Sequence, residues 1–177
     1  MSPDTDSLKR VPAACAIRPA TREDVPLLLE LIGALADYER LRDELHATPE
    51  LLERHLFGER PAAETVLAEV DGEAVGYALF FPTFSTFLAR PGMWLEDLFV
   101  LPARRRGGVG RALLEHVAQL AFARGCGRLE WSALDWNEPA LAFYRGLGAR
   151  RLPEWHLHRL DGAALLRFGG GGSGSGA

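Results

Sequence analysis

The chain has little cysteine, almost no lysine and no long apolar run. Its two cysteines, Cys15 and Cys126, stand far apart among 177 residues. That excludes a disulfide framework and gives no metal-ligand spacing, so both read as small buried residues or idle thiols. No apolar stretch approaches the roughly 20 residues that cross a bilayer. The opening "MSPDTDSLKRVPAAC" has no apolar core of signal-peptide length. The expected compartment is therefore the cytoplasm, with no membrane partner. Lys9 is the one lysine among 20 basic residues, which reads as a compositional bias. Net charge is −4, and the only dense basic run, Arg104-Arg105-Arg106, is too short for a duplex footprint. Nucleic acid is not an expected partner. The five histidines show no metal spacing with acidic residues; His156 and His158 alternate but lack a third ligand. No nucleophile elbow is present.

What is there suits one domain. A hydrophobic content of 47% and a charged content of 25% are ordinary for a globular chain of this length. Residues 1–13 are polar and read as a flexible N-terminus. Residues 169–177, "GGGGSGSGA", read as a flexible tail. Residues 14–168 remain as a single domain.

Within it, "ACAIRPA" reads as a strand. Thr21 and Asp24 form a capping pattern ahead of a helix whose Leu28, Leu31, Ile32 and Leu35 make one apolar face. A second helix opens at Thr48-Pro49. "ETVLAEVDGEAVGYALFFP" is a hairpin turning at Asp71-Gly72. "GMWLEDLFVL" is a strand, and "GVGRALLEHVAQLAFARG" is the clearest helix. "CGRLEWSALD" follows as a strand, then a helix opened by Asn137. "EWHLHRL" and "AALLRF" are expected to be two final strands. The pattern implies an α/β (α+β) fold with a mixed sheet.

The stretch "EDLFVLPARRRGGVGRALLEHVAQLAF" joins a strand to a helix through three arginines and three glycines. Amides at a helix start have no intrahelical partner, and the helix dipole is positive there. Glycines allow an anion close approach, and arginines can clamp phosphate oxygens. The junction therefore has the chemistry of a pyrophosphate cradle. It lacks the Gly-Lys-Ser/Thr of a nucleotide-hydrolysing loop, and its first glycine lies too far past the strand for a dinucleotide turn. A solvated, flexible arginine loop is the plainer alternative.

"RRGGVG", Arg105 to Gly110, fits the acetyl-CoA signature of the GNAT superfamily of N-acetyltransferases. With "IRPATREDV", "LEDLFVLPARRRGGVG" and "LDWNEPALAFYRGLGA", the chain resembles the diamine acetyltransferase branch. "FSTF" at Phe84–Phe87 resembles the thialysine N-epsilon-acetyltransferase side, because the spermidine/spermine side has aspartate where Ser85 stands. The resemblance covers about residues 15–168. It implies a mostly antiparallel mixed sheet, helices on both faces, and a fourth and fifth strand that splay apart. It also implies a homodimer with the active site near the subunit interface.

The same resemblance implies site residues. Arg105, Arg106, Gly107, Gly108, Val109, Gly110 and Arg111 would meet the pyrophosphate of acetyl-CoA. Leu98, Phe99 and Val100 would pair with its pantetheine arm through their backbone. Asn137 would line the cofactor path, though it is also a good N-cap on its own. Tyr144 matches the tyrosine that protonates the leaving thiolate, and a phenol near pKa 10 suits that task. Glu96 matches the base that takes the amine proton. A salt-bridge role is its alternative. Adjacent strand residues face opposite sides, so Glu96 and Asp97 are expected to differ in role. Tyr38, Glu39, Ser85, Glu96 and Trp155 would meet a cationic amine. Serine at 85 removes an anionic contact for a long polyamine and favours a shorter, thialysine-like or lysine-like acceptor. No metal is implied. The alternatives are a protein or antibiotic amine as acceptor, or a non-catalytic acyl-CoA sensor.

Overall fold

The computed structural model describes residues 15–169. The N-terminal segment 1–13 and residues 170–177 of the Gly/Ser tail lie outside the described residues. The chain divides into two compact units, Met1–Ser132 and Ala133–Ala177.

The first unit is built on one five-stranded sheet, ordered as in the chain: β1 (Cys15–Pro19), β2 (Glu64–Val70), β3 (Glu73–Ser85), β4 (Arg90–Val100) and β5 (Leu129–Glu130). The first four strands are antiparallel, and β5 pairs parallel to β4. The β2–β3 hairpin turns at Asp71 and Gly72, both with positive φ (55° and 81°), as a two-residue primed turn requires. Helix α1 (Val25–Glu39) follows β1, and α2 (Pro49–Phe57) precedes β2. The capping box of Thr21 and Asp24 forms as expected: the Thr21 amide donates to Asp24 Oδ2 at 2.8 Å. Asp24 also accepts two bonds from Arg18, at 2.7 and 2.8 Å, tying β1 to the α1 entrance. Thr48 Oγ1 caps α2 by accepting from the Leu51 amide.

The core has two sides. Leu28 and Leu31 of α1 bury against Leu67, Tyr77 and Phe99 on one sheet face. Helix α3 (Val109–Ala123) buries Val109, Leu113, Val117 and Ala121. It covers the opposite face, where Gly110 lies against Val100, one residue out of phase with Phe99.

The β4–β5 pairing involves only Met93↔Leu129 and Trp94↔Glu130. Beyond Trp94, β4 has no partner strand on that edge among the described residues. The pairing stops at Trp94 and Glu130, in keeping with the splay that the resemblance implied.

The second unit holds α4 (Glu138–Gly146) and α5 (Gly162–Gly169). The two final strands expected at "EWHLHRL" and "AALLRF" are not formed. Residues 155–160 are exposed and irregular, so His156 and His158 share no strand face. The last segment is helical. Alanine, leucine and arginine favour a helix locally, whereas a strand needs an edge to pair with.

Candidate active site

The site is centred on a break in the β3–β4 ladder. Leu79 pairs with Asp97 and Phe80 pairs with Leu95, so Glu96 is an extra residue with no partner on β3. This is a β-bulge, a device that re-aims side chains. The cross-strand pairs Phe81↔Trp94, Leu79↔Asp97 and Tyr77↔Phe99 place Trp94, Asp97 and Phe99 on one sheet face. Glu96 Oε2 accepts from Trp94 Nε1 at 2.7 Å, which draws its carboxylate to that same face. The alternation expected at Glu96–Asp97 therefore fails. The bulge gives both carboxylates one side of the sheet, the side that α1 covers.

Asp97 is half-buried and accepts a hydrogen bond from the Tyr77 hydroxyl at 3.0 Å. Tyr77 is wholly enclosed, with 0% exposure. Burial pushes the Asp97 carboxyl up to about 6, with the charges of Glu96 and Glu39 adding to the rise and the Tyr77 bond opposing it. Glu39, at the end of α1, is itself raised by burial. Burial and the nearby carboxylates hold the Tyr77 phenol well above its ordinary value. Three carboxylates from two elements thus converge, close enough to feel one another. Sequence reasoning missed Asp97 and Tyr77. The Glu-Asp pair was visible, but a bulge has no signature in the residues alone.

The arginine–glycine junction separates its three arginines. Arg104 pairs with Glu73 at 3.1 Å. Arg105 turns inward: its guanidinium lies 4.2 Å from the Tyr38 ring centroid, and Nε donates to the Val100 carbonyl at 2.9 Å. Arg106 is exposed, in the left-handed region at φ 65°. Gly108 follows at φ 85° as the N-cap of α3. The first amide to bond inside the helix is that of Ala112, to the Gly108 carbonyl. The amides of Gly108, Val109 and Gly110 therefore precede the intrahelical ladder. Arg111 pairs with Glu115 one turn on.

The edge of β4 leads to this junction. The Leu101 amide donates to the Val75 carbonyl at 2.9 Å. Hydrogen-bonded pairs alternate along an antiparallel ladder, so Phe99 and Asp97 also face β3. Leu98 and Val100 point their backbone groups outward, along the edge that β5 leaves uncovered. The Arg105 bond to Val100 O lies on this outer edge. The residues present fit acetyl-CoA: an open strand edge for an extended amide-bearing arm, then a glycine turn where its phosphates would meet backbone amides.

Ser85 is buried at 3% exposure, and its Oγ accepts from the Leu88 amide, closing the β3–β4 turn. It lies roughly 17–20 Å along the sheet from the bulge at the usual rise per residue. In the second unit, Asn137 is the N-cap of α4, with Oδ1 accepting from the Ala140 amide at 3.3 Å. Tyr144 is half-buried in α4, its ring 5.3 Å from that of Phe143. Trp155 is 71% exposed.

A glycine-started helix, a strand edge left uncovered beyond Trp94 and carboxylates bulged onto one face suit transfer of an acyl group from an extended, phosphate-bearing donor to a cationic acceptor. Comparison with known proteins agrees. Residues 30–149 match the acetyltransferase (GNAT) family. The chain is 37% identical over 165 residues to a thialysine N-epsilon-acetyltransferase from Bos taurus, covering 87% of this chain and 96% of that protein. It is 34% identical over 194 residues to an L-ornithine N5-acetyltransferase from Arabidopsis thaliana, covering 84% and 85%. An integron cassette protein from V. cholerae has a similar fold, with a TM-score of 0.75 at 24% identity over 89% of this chain and 98% of that one. The chain belongs to the GNAT acetyltransferase family, and it is an N-acetyltransferase.

Proposed function

We propose that the chain moves the acetyl group of acetyl-CoA to the primary amine of a small cationic molecule, thialysine-like, lysine-like or a diamine. The observation that carries this reading is the convergence of Glu39, Glu96 and Asp97 on the face shared with Tyr38 and Trp94. Carboxylates beside aromatic rings suit an ammonium group. The thialysine and ornithine acetyltransferases it resembles are named for short amino-acid acceptors.

The backbone from Arg106 to Arg111 would hold the pyrophosphate, with Arg105 at the rim. The outer edge of Leu98 and Val100, with Phe99 between them, would pair with the pantetheine arm, and Asn137 would line its path. When bound, acetyl-CoA supplies an activated thioester. Glu96 accepts the ammonium proton through water, which leaves the nitrogen lone pair to attack the carbonyl carbon. The Leu98 amide donates to the carbonyl oxygen as its charge grows. Tyr144 gives its phenolic proton to the departing sulfur, and Trp155 would meet the acceptor's cationic tail. The attack is direct, in a ternary complex, since neither cysteine matches a catalytic position. A cytoplasmic homodimer belongs to the same reading. The apolar tip of the β3–β4 turn supports assembly, with Phe87 at 94% exposure.

The test is thiol release from acetyl-CoA against thialysine, lysine, ornithine, putrescine, spermidine, spermine and an aminoglycoside. Turnover of the short amines with little on spermine is expected. Aminoglycoside turnover alone would make the acceptor an antibiotic amine. No turnover with tight acetyl-CoA binding would leave a protein acceptor or a sensor.

A further inference from the structure

We propose that Tyr77 is a positioning residue for acceptor specificity: its enclosed hydroxyl holds Asp97 as the anion that receives the substrate ammonium. The inference rests on the acceptor site proposed above and extends it to a residue that touches neither substrate.

Tyr77 lies on β3 with its ring packed among Leu28, Leu31, Leu67 and Phe99. A buried phenol needs a partner for its hydroxyl, and here that partner is Asp97 Oδ2, at 3.0 Å. Asp97, paired with Leu79, stands two pairs along the ladder from Tyr77↔Phe99, on the same sheet face and beside the bulge. The groups around Asp97 are otherwise unfavourable to its charge. Glu96 on β4 and Glu39 at the end of α1 are both acidic, and the site is partly desolvated. Arg105 faces the same region, but its guanidinium is over Tyr38 and Phe99 and its Nε is spent on Val100. The Tyr77 hydroxyl is thus the local donor that favours the Asp97 anion. It also fixes which oxygen is left to meet an amine, since Oδ2 is taken.

This gives the site a built-in selection. With Asp97 ionised, a cationic amine is drawn to the bulge, where Glu96 can deprotonate it. With Asp97 protonated, the attraction falls and a neutral amine gains relative advantage.

The experiment compares the whole protein with Tyr77→Phe and Asp97→Asn in the pH dependence of kcat and of kcat/KM for the preferred amine. Tyr77→Phe keeps the ring and loses only the donor. Its acidic limb in kcat/KM should move up by about one pH unit. The amine KM should rise several-fold at pH 6–7, while kcat at the alkaline plateau changes less. Replacing Tyr77 with 3-fluorotyrosine, a stronger donor of nearly the same shape, should move the limb the other way. Asp97→Asn should remove it. Direct titration of the Asp97 carboxyl by carbon NMR, without amine, should rise in Tyr77→Phe. The proposal is overturned if Tyr77→Phe and the fluorinated residue both leave the limb and the Asp97 titration in place while Asp97→Asn removes the limb. In that case Tyr77 is core packing alone and the acceptor site stands. If Asp97→Asn itself leaves KM and the limb unchanged, the acceptor site is misplaced and the proposal falls with it.

Discussion

The guanidinium of Arg105 sits 4.2 Å from the ring centroid of Tyr38, joining the glycine junction after β4 to the last turn of α1. One residue thereby touches the proposed cofactor loop and the proposed acceptor pocket. Arg105→Ala should raise KM for acetyl-CoA and for the amine together. A double-mutant cycle with Tyr38→Ala should give a stability coupling of about 0.5–2 kcal/mol. Additive effects on both stability and KM would show the contact to be incidental.

Gly108 holds φ 85° at the start of α3. Valine there is strained by about 1–2 kcal/mol and places a branched side chain beside the turn's amides. Gly108→Val should weaken acetyl-CoA binding about tenfold or more in calorimetry. Normal affinity in a folded variant would move the phosphate site elsewhere.

Tyr144→Phe should lower kcat by about 100-fold or more and change acetyl-CoA affinity little, as loss of a proton donor predicts. Single-turnover kinetics separate the two. A large affinity loss with unchanged turnover would make Tyr144 a packing residue.

Two aspartates should shape acid stability with opposite sign. Arg18 holds the folded Asp24 carboxyl well below the ordinary range of about 3.9. Its contribution is complete above that value and is lost as pH falls through the folded pKa. Asp97 is raised to about 6, so it takes up a proton in the folded state first. Its charge costs stability above about pH 6, and that cost is relieved between about 6 and 4. Asp97→Asn should therefore raise Tm at pH 7–8 and abolish the gain on acidification to pH 5. Asp24→Asn should lower Tm at neutral pH and flatten the loss below pH 4. Thermal melts from pH 3 to 8 check both.

Much of the fold was legible because local chemistry specified it. The capping box at Thr21–Asp24, the Asp71-Gly72 turn, Pro49 after Thr48 and the apolar stripe of α3 each rest on neighbours a few residues apart. Element order from β1 through α4 follows from such signals. The C-terminal "EWHLHRL" misled because its alternation is a strand pattern, yet pairing depends on an edge that local sequence does not supply.

The candidate site divides the same way. The residues alone determined that a strand would hand over to a helix through glycines and arginines, with Glu96, Asp97, Tyr38 and Glu39 nearby in type and order. Tertiary structure decided which of them meet. The extra residue at Glu96 arises from a mismatch between β3 and β4, whose flanking pairs Phe80↔Leu95 and Leu79↔Asp97 are distant in the chain, and it moves a carboxylate to the other face. The inward turn of Arg105 depends on Tyr38, brought up from α1, and the Tyr77–Asp97 bond spans two strands. Contacts of this kind are set by register and packing, which many distant residues fix jointly, and no short stretch of sequence records them.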